Sequence, residues 1–311
     1  MNTTRLLVCA SLCAILGISN LPQAQAQFTY TFFPDDGTLA STVNTDFAIV
    51  GFAGGSYDDS FNRNFLFPSS PTLHVVNGAD IGGEMDIFNS SHVIFSGGNI
   101  GFINVFDNSS VSASGGSSPF LLAFDSSTVN MSDGIIDDLE GQGSSVTVSG
   151  GHITSKLVAN SAADSVTGNP IGSCIIDVTG GSIEGELDAY NNGLLNLHGG
   201  QLGGDLFAAF GGTIDVYGSG LTASLVNPDY NNAYSLYSLS GTLEDGTVLS
   251  NKNLFIMNDG VTYGHSSFNL ISAASTPEPN SLILLLSGGL GAGLLLHRRR
   301  HVLAKAEKDR P

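Results

Sequence analysis

The chain has 311 residues and a formal net charge of −18, from Lys plus Arg 10 against Asp plus Glu 28. That balance excludes nucleic acid as a partner, because a phosphate backbone is held by clustered Lys and Arg. There is no Trp, 40 residues are Gly and only 12% are charged, a composition close to that of disordered chains, yet Val, Ile, Leu and Phe recur at regular intervals.

At the N-terminus, Arg5 precedes an apolar run from Leu6 to Ile18 and then "QAQAQ". A basic residue, a short apolar stretch and the small-residue site Ala24-Gln25-Ala26 form a secretory signal peptide over residues 1–26, cleaved after Ala26. Cys9 and Cys13 leave with it, so Cys174 alone remains and a disulfide framework within one copy is excluded. Cys174 reads as a small buried residue beside the strand Ile175 to Val178, with a reactive thiol or a link between two copies as alternatives. From Phe28 to Asn280 the chain carries 26 acidic residues against Arg63, Lys156 and Lys252. Such a body suits solubility outside the cell and resists acidic polysaccharides unless cations mediate.

Residues 27–72 lack the repeat that follows and contain strand-like runs such as "FAIVGF", so they are expected to form an N-terminal β cap. Residues 73–221 repeat an eight-residue phrase: "VIFSGGNI" from Val93, "VSASGGSS" from Val111, "VNMSDGII" from Val129, "VTVSGGHI" from Val146, "IDVTGGSI" from Ile176, "LNLHGGQL" from Leu195 and "IDVYGSGL" from Ile214. "HVVNGADI" from His74 is a degraded first copy. The period is near 19, with one insertion of about 11 residues at Ser161 to Ser173, and a fixed period of this size indicates stacked supersecondary units. Each phrase alternates apolar and polar residues as a strand does, then bends at glycine. A second alternating phrase, such as "INVFD" at Ile103 and "LDAYN" at Leu187, fills the other half of most repeats. Two strands and two corners per repeat predict an all-β fold: a right-handed parallel β-helix or solenoid of about eight 19-residue rungs, closed by β caps. Residues 222–274 are the expected C-terminal cap.

Outward carboxylates on adjacent rungs are the first place to look for chemistry, since glycoside hydrolysis needs two of them and metal-assisted lyases need a cluster. The candidates are Asp133, Asp137, Asp138 and Glu140 in one repeat, and Glu184, Glu186 and Asp188 with Asp205 one rung on. The outward position of the second strand reads Asp86, Asn104, Leu122, Glu140, Val158, Asp188 and Phe207, which is not a continuous acidic ladder, so these groups read as a solvated face. The corner residues Asn89, Asp107, Asp125 and Asn191 read as turn residues that cap backbone groups. His74, His92, His152, His198 and His265 never fall at metal-ligand spacing. Phe88, Phe106, Phe124 and Tyr190 recur at one place in the repeat and predict a stacked core or corner, while "YNNAYSLYSL" from Tyr230 is the better candidate for a binding surface. No catalytic, cofactor-binding or metal site is assigned, and no cofactor is expected.

The apolar run from Ser281 to Leu296 is a short membrane helix, followed by Arg298, Arg299 and Arg300, which hold its far end on the cytoplasmic side. Pro277-Glu278-Pro279, that helix and the arginine cluster, over residues 275–300, resemble the PEP-CTERM sorting signal of exported bacterial proteins, with 301–311 as a cytoplasmic tail. The repeats are similar to those of autotransporter-like or PEP-CTERM-associated β-solenoid proteins. The resemblance implies an exosortase-like sorting enzyme as partner, transient anchorage in the inner membrane, and a final place at the cell surface or outside the cell. It also implies a noncatalytic structural or matrix-interaction protein, with exopolysaccharide or other matrix components as partners. The alternatives are a polysaccharide lyase or glycosidase, or a glycan-binding module, on the same scaffold.

Overall fold

The computed structural model describes residues 30–33, 37–39, 42–43, 47–50, 55–57, 63–65, 71–161, 172–258 and 265–272. The expected signal peptide and the sorting segment lie outside the described residues. By its own contacts the chain divides into Met1–Ser272 and Ala273–Pro311, and every described residue belongs to the first unit.

The described residues form an all-β solenoid of about seven turns, against the eight expected. Each turn has three sides rather than the two strands predicted. The first side stacks the Val-x-Val phrases in one register: Leu73, Val93, Val111, Val129, Val146, Ile176, Leu195 and Ile214 lie above one another. The degraded first copy therefore begins at Leu73, one residue earlier than the phrase suggests, because Leu73 and not His74 pairs with Val93. A short third side follows the glycine corner and stacks Ile81, Ile100, Ser118, Ile136, Ile153, Ile183 and Leu202. The second side stacks Met85, Ile103, Leu121, Leu139, Leu157, Leu187, Leu206 and Leu254. The short third side escaped the sequence because in each copy it supplies only one inward residue, the Ile or Leu after the glycines or, in the copy from Val111, Ser118.

These inward columns make one core: Val93, Val111, Val129, Ile176 and Leu187 are all fully buried. Removing each such side chain from water stabilises the fold by about 1.5–3 kcal/mol. Parallel pairing extends to Tyr30–Phe33 and Phe47–Val50, which carry no Gly-Gly phrase, with Val50 beside Ile87.

The corners have two chemistries. At the glycine corner the second residue of the pair is left-handed, as at Gly151 with φ 83°, where an added Cβ would also come within 2.6 Å of Met131 Cε. The other corner uses Asn89, Asp107, Asp125 and Asn191, each with φ between 50° and 59°. Their recurrence thus reflects the tolerance of Asn and Asp for this backbone region. Capping is added at Asp107, whose Oδ2 accepts from the Asn89 amide at 3.2 Å. The insertion leaves the solenoid at buried Ser161 and returns at Cys174, whose amide donates to Ser161 Oγ at 3.2 Å, so the ladder passes it without a gap.

At the C-terminal end the parallel pattern gives way. The strand Thr213–Tyr230 starts on the first side and then turns back, antiparallel, against Tyr234–Leu243. That strand pairs antiparallel with Val248–Met257, which itself continues the second side beside Leu206–Ala209. The hairpin tip carries Asn231 and Asn232 at φ 54° and 56°, the pair of left-handed residues that a tight β-hairpin favours.

Candidate functional site

The register aligns two acidic groups that the sequence keeps 48 residues apart, Asp138 with Glu186 and Glu140 with Asp188. Asp138, Lys156 and Glu186 occupy one outward column of the second side, and Glu140, Val158 and Asp188 the next. The series Asp86, Asn104, Leu122, Glu140, Val158, Asp188 and Phe207 is thereby found in register as read from the sequence, Glu140 included. Its exposure is not as read: Asp86, Asn104 and Asp188 are buried, at 2%, 8% and 1%.

Within this face the charges are strongly coupled. Lys156 Nζ lies 3.1 Å from Glu186 Oε2, and that contact raises the lysine above its ordinary value. Glu140 Oε1 accepts from Gln142 Nε2 at 3.0 Å and Asn160 Nδ2 at 3.1 Å. Burial, and then the neighbouring Glu186, push Asp188 up to about 6, although the Tyr190 hydroxyl donates to it. Burial and the nearby Asp188 charge push the Tyr190 phenol upward in turn. Two carboxyls with separated proton affinities are what acid–base catalysis uses. Here the carboxyl whose proton affinity is raised is inside, and its neighbour Glu186 is paired with Lys156.

The remaining candidates act as braces. Asp133 accepts from its neighbour's amide, Gly134, at 2.8 Å, and Asp137 accepts from Thr154 Oγ1 of the next rung at 2.5 Å. Glu184 Oε1 lies 2.9 Å from His152 Nε2, and Asp205 accepts from Asn253 Nδ2 at 3.1 Å. On the first side Asn196 donates to Asp177 and Asn269 to Asp215, both at 2.7 Å, one rung apart in each case. His92 Nδ1 lies 2.7 Å from Ser110 Oγ.

A second cluster was missed by sequence reasoning because its members are far apart in the chain. The turn between Tyr234–Leu243 and Val248–Met257 folds onto the glycine corner of the Leu195 phrase. His198 Nδ1 lies 2.7 Å from Glu244 Oε2 and its ring stacks on Tyr217 at 3.9 Å. Burial alone would raise Asp245, but the Gly200 and Thr247 amides outweigh it and hold the carboxyl below its ordinary range. Thr147, Asp177, Thr179, His198, Glu244 and Asp245 line an open recess of about 550 Å³ here. Among the described residues no group of three or more His, Cys, Asp or Glu side chains gathers as metal ligands would.

Aromatic rings are spent on one another. Phe88, Phe106 and Phe124 stack at 4.8 and 4.9 Å, as expected, and Phe102 stacks on Phe120 at 4.8 Å. Tyr190 does not join the corner stack, because Gln142 and Asn160 stand at that place in the two rungs between. In such stacks the ring faces point along the ladder and only edges meet solvent. The Tyr230 to Leu239 segment, read as a binding surface, uses Tyr230 and Tyr234 to pack on Phe255, while Phe255 stacks on Phe207 at 4.5 Å.

Comparison with known proteins gives no match to a family model, a curated protein or a solved structure.

Proposed function

We propose that this is an exported, noncatalytic structural protein: a stiff, acidic β-solenoid that presents itself to the cell surface or matrix. In this reading residues 1–26 direct export, and Pro277, Glu278, Pro279 with Arg298, Arg299 and Arg300 address the chain to an exosortase-like enzyme. The inner membrane holds it transiently through the Ser281 to Leu296 helix, and exopolysaccharide or another matrix component is its partner. The coils wind right-handed, the hand favoured for parallel strands joined by crossovers. The observation that carries the structural role is that outward polar groups are used from rung to rung, as in Asn196 with Asp177 and Lys156 with Glu186. Side chains committed in this way stiffen a stack and leave little freedom for turnover.

The second reading, a polysaccharide lyase or glycosidase, is favoured only by the Glu186 and Asp188 pair. One assay separates them: product release from neutral and acidic polysaccharides, with and without Ca²⁺. No release from any substrate is the expected result; turnover abolished by Glu186→Gln would replace the structural reading with the enzymatic one. The sorting role is tested by replacing Pro277, Glu278 and Pro279 with Ala. The chain should then accumulate in the inner membrane, and unchanged delivery to the surface would refute the address.

A further inference from the structure

Two buried carboxyls sit in the same column of the second side and differ in one respect. Asp86 meets Asn104 on the next rung, whose Nδ2 donates to its Oδ1 at 3.0 Å. Asp188 meets Val158 on one neighbouring rung and Phe207 on the other, so neither offers a donor. Its Oδ1 is buried and has no hydrogen-bond partner among the described residues, and the residue is only 1% exposed. An ionised carboxylate with one oxygen left without a donor in such a place is penalised far more than a carboxylic acid.

The charged surroundings add to this. On its own strand Glu186 repels a charge on Asp188, and Tyr190 donates one hydrogen bond. From the strand His152–Asn160, Lys156 attracts the charge but is already paired with Glu186. From the strand Thr128–Gln142, Glu140 repels it, with Asp138 in the adjacent column. The strand Leu206–Ala209 brings Phe207, which has no charge, and Tyr234 of the hairpin stands near Tyr190.

We propose that Asp188 is held as the neutral acid in the folded solenoid, making its rung a proton-operated latch that is tight in acid and loosens as the carboxyl ionises. This inference rests on the fold alone and does not depend on the export reading. A carboxyl raised from 3.8 to about 6 binds its proton more tightly folded than unfolded. Its stabilising effect is therefore complete below about pH 4 and lost as the pH rises through about 6. A shift of that size corresponds to about a 100-fold change in the opening equilibrium.

The test follows amide-exchange protection at Leu187 to Tyr190, and the unfolding midpoint, in the full chain between pH 4 and pH 7. Asp188→Asn, which keeps the shape and removes the charge, should be more stable than the native chain at pH 7 and lose the extra pH dependence. Protection in the native chain relative to Asp188→Asn should fall by about 100-fold across this window. Identical pH profiles, or a variant less stable at both ends, would overturn the proposal. Glu186→Gln provides a second arm: by removing the nearest repelling charge it lets Asp188 ionise more readily in the fold, so the loss of protection should move to lower pH and shrink. A profile that stays in place would also count against the latch.

Discussion

Asp125 sits at φ 58°, in the region where a Cβ meets the following carbonyl. Asn and Asp tolerate it, Gly is free in it and β-branched residues are not. Asp125→Gly should therefore stay within about 1 kcal/mol of the native chain, and Asp125→Val should cost about 1–2 kcal/mol or more, measured by chemical unfolding. Cys174 offers a second test at this scale. It is fully buried, burial pushes its thiol upward, and its hydrogen-bonding neighbours are Asn160 and Ser144. It starts the first side of its turn at the place where Ser91, Ser109, Ser127 and Ser144 start theirs, all of them buried. Cys174→Ser should then cost less than about 1 kcal/mol. Cys174→Val should cost about 1–3 kcal/mol, because the site is tight: a Cβ added at Gly141 would stand 2.7 Å from the sulfur. The corner residues were legible in the sequence as turn formers, but not the burial of Asp188. That burial depends on Val158 and Phe207, which lie 30 and 19 residues away and are apolar for no reason the repeat phrase reveals.

Among the elements, the two longer sides were legible because each contributes a pair of inward residues per repeat, enough to show a strand period. The antiparallel turn-back of Thr213–Tyr230 was not, since it has no repeat to be compared with and its partners come from the hairpin that follows. Nor was the recess around His198, whose neighbour Glu244 is 46 residues on. The aromatic stack is a property of elements acting together. Phe106 has a ring on both sides, whereas Phe88 and Phe124 are the ends of the described run. Each stacked pair contributes about 0.5–1.5 kcal/mol beyond burial. Phe106→Ala should therefore lower the unfolding free energy by more than Phe124→Ala, by about the value of one pair. Equal losses would show that ring stacking adds nothing to the corner.

For the whole molecule, charge is the dominant variable. The chain's net charge of −18 works against any compact state through self-repulsion, which salt screens over about 8–10 Å near 0.1–0.15 M. Raising the salt from about 0.01 M to 0.15 M should raise the unfolding midpoint, even though exposed pairs such as Lys156 with Glu186 weaken. A falling midpoint would mean that ion pairs, not repulsion, govern the fold.

The pairing order has a further consequence. Interior rungs bond to partners one repeat back, as Ser110 does to His92, so each can close soon after its residues emerge. The end is different: Thr213 to Val216 pair back with Leu194 to Leu197 like any rung, but their other edge is covered only by Ser267 to Ser272, beyond the intervening hairpin. A chain emerging N-terminus first can therefore crystallise onto its own finished rungs like thread onto a spool, with contact order low until that last pairing. The knot in that thread is tied only when Ser272 arrives, at the boundary where the second unit of the chain begins.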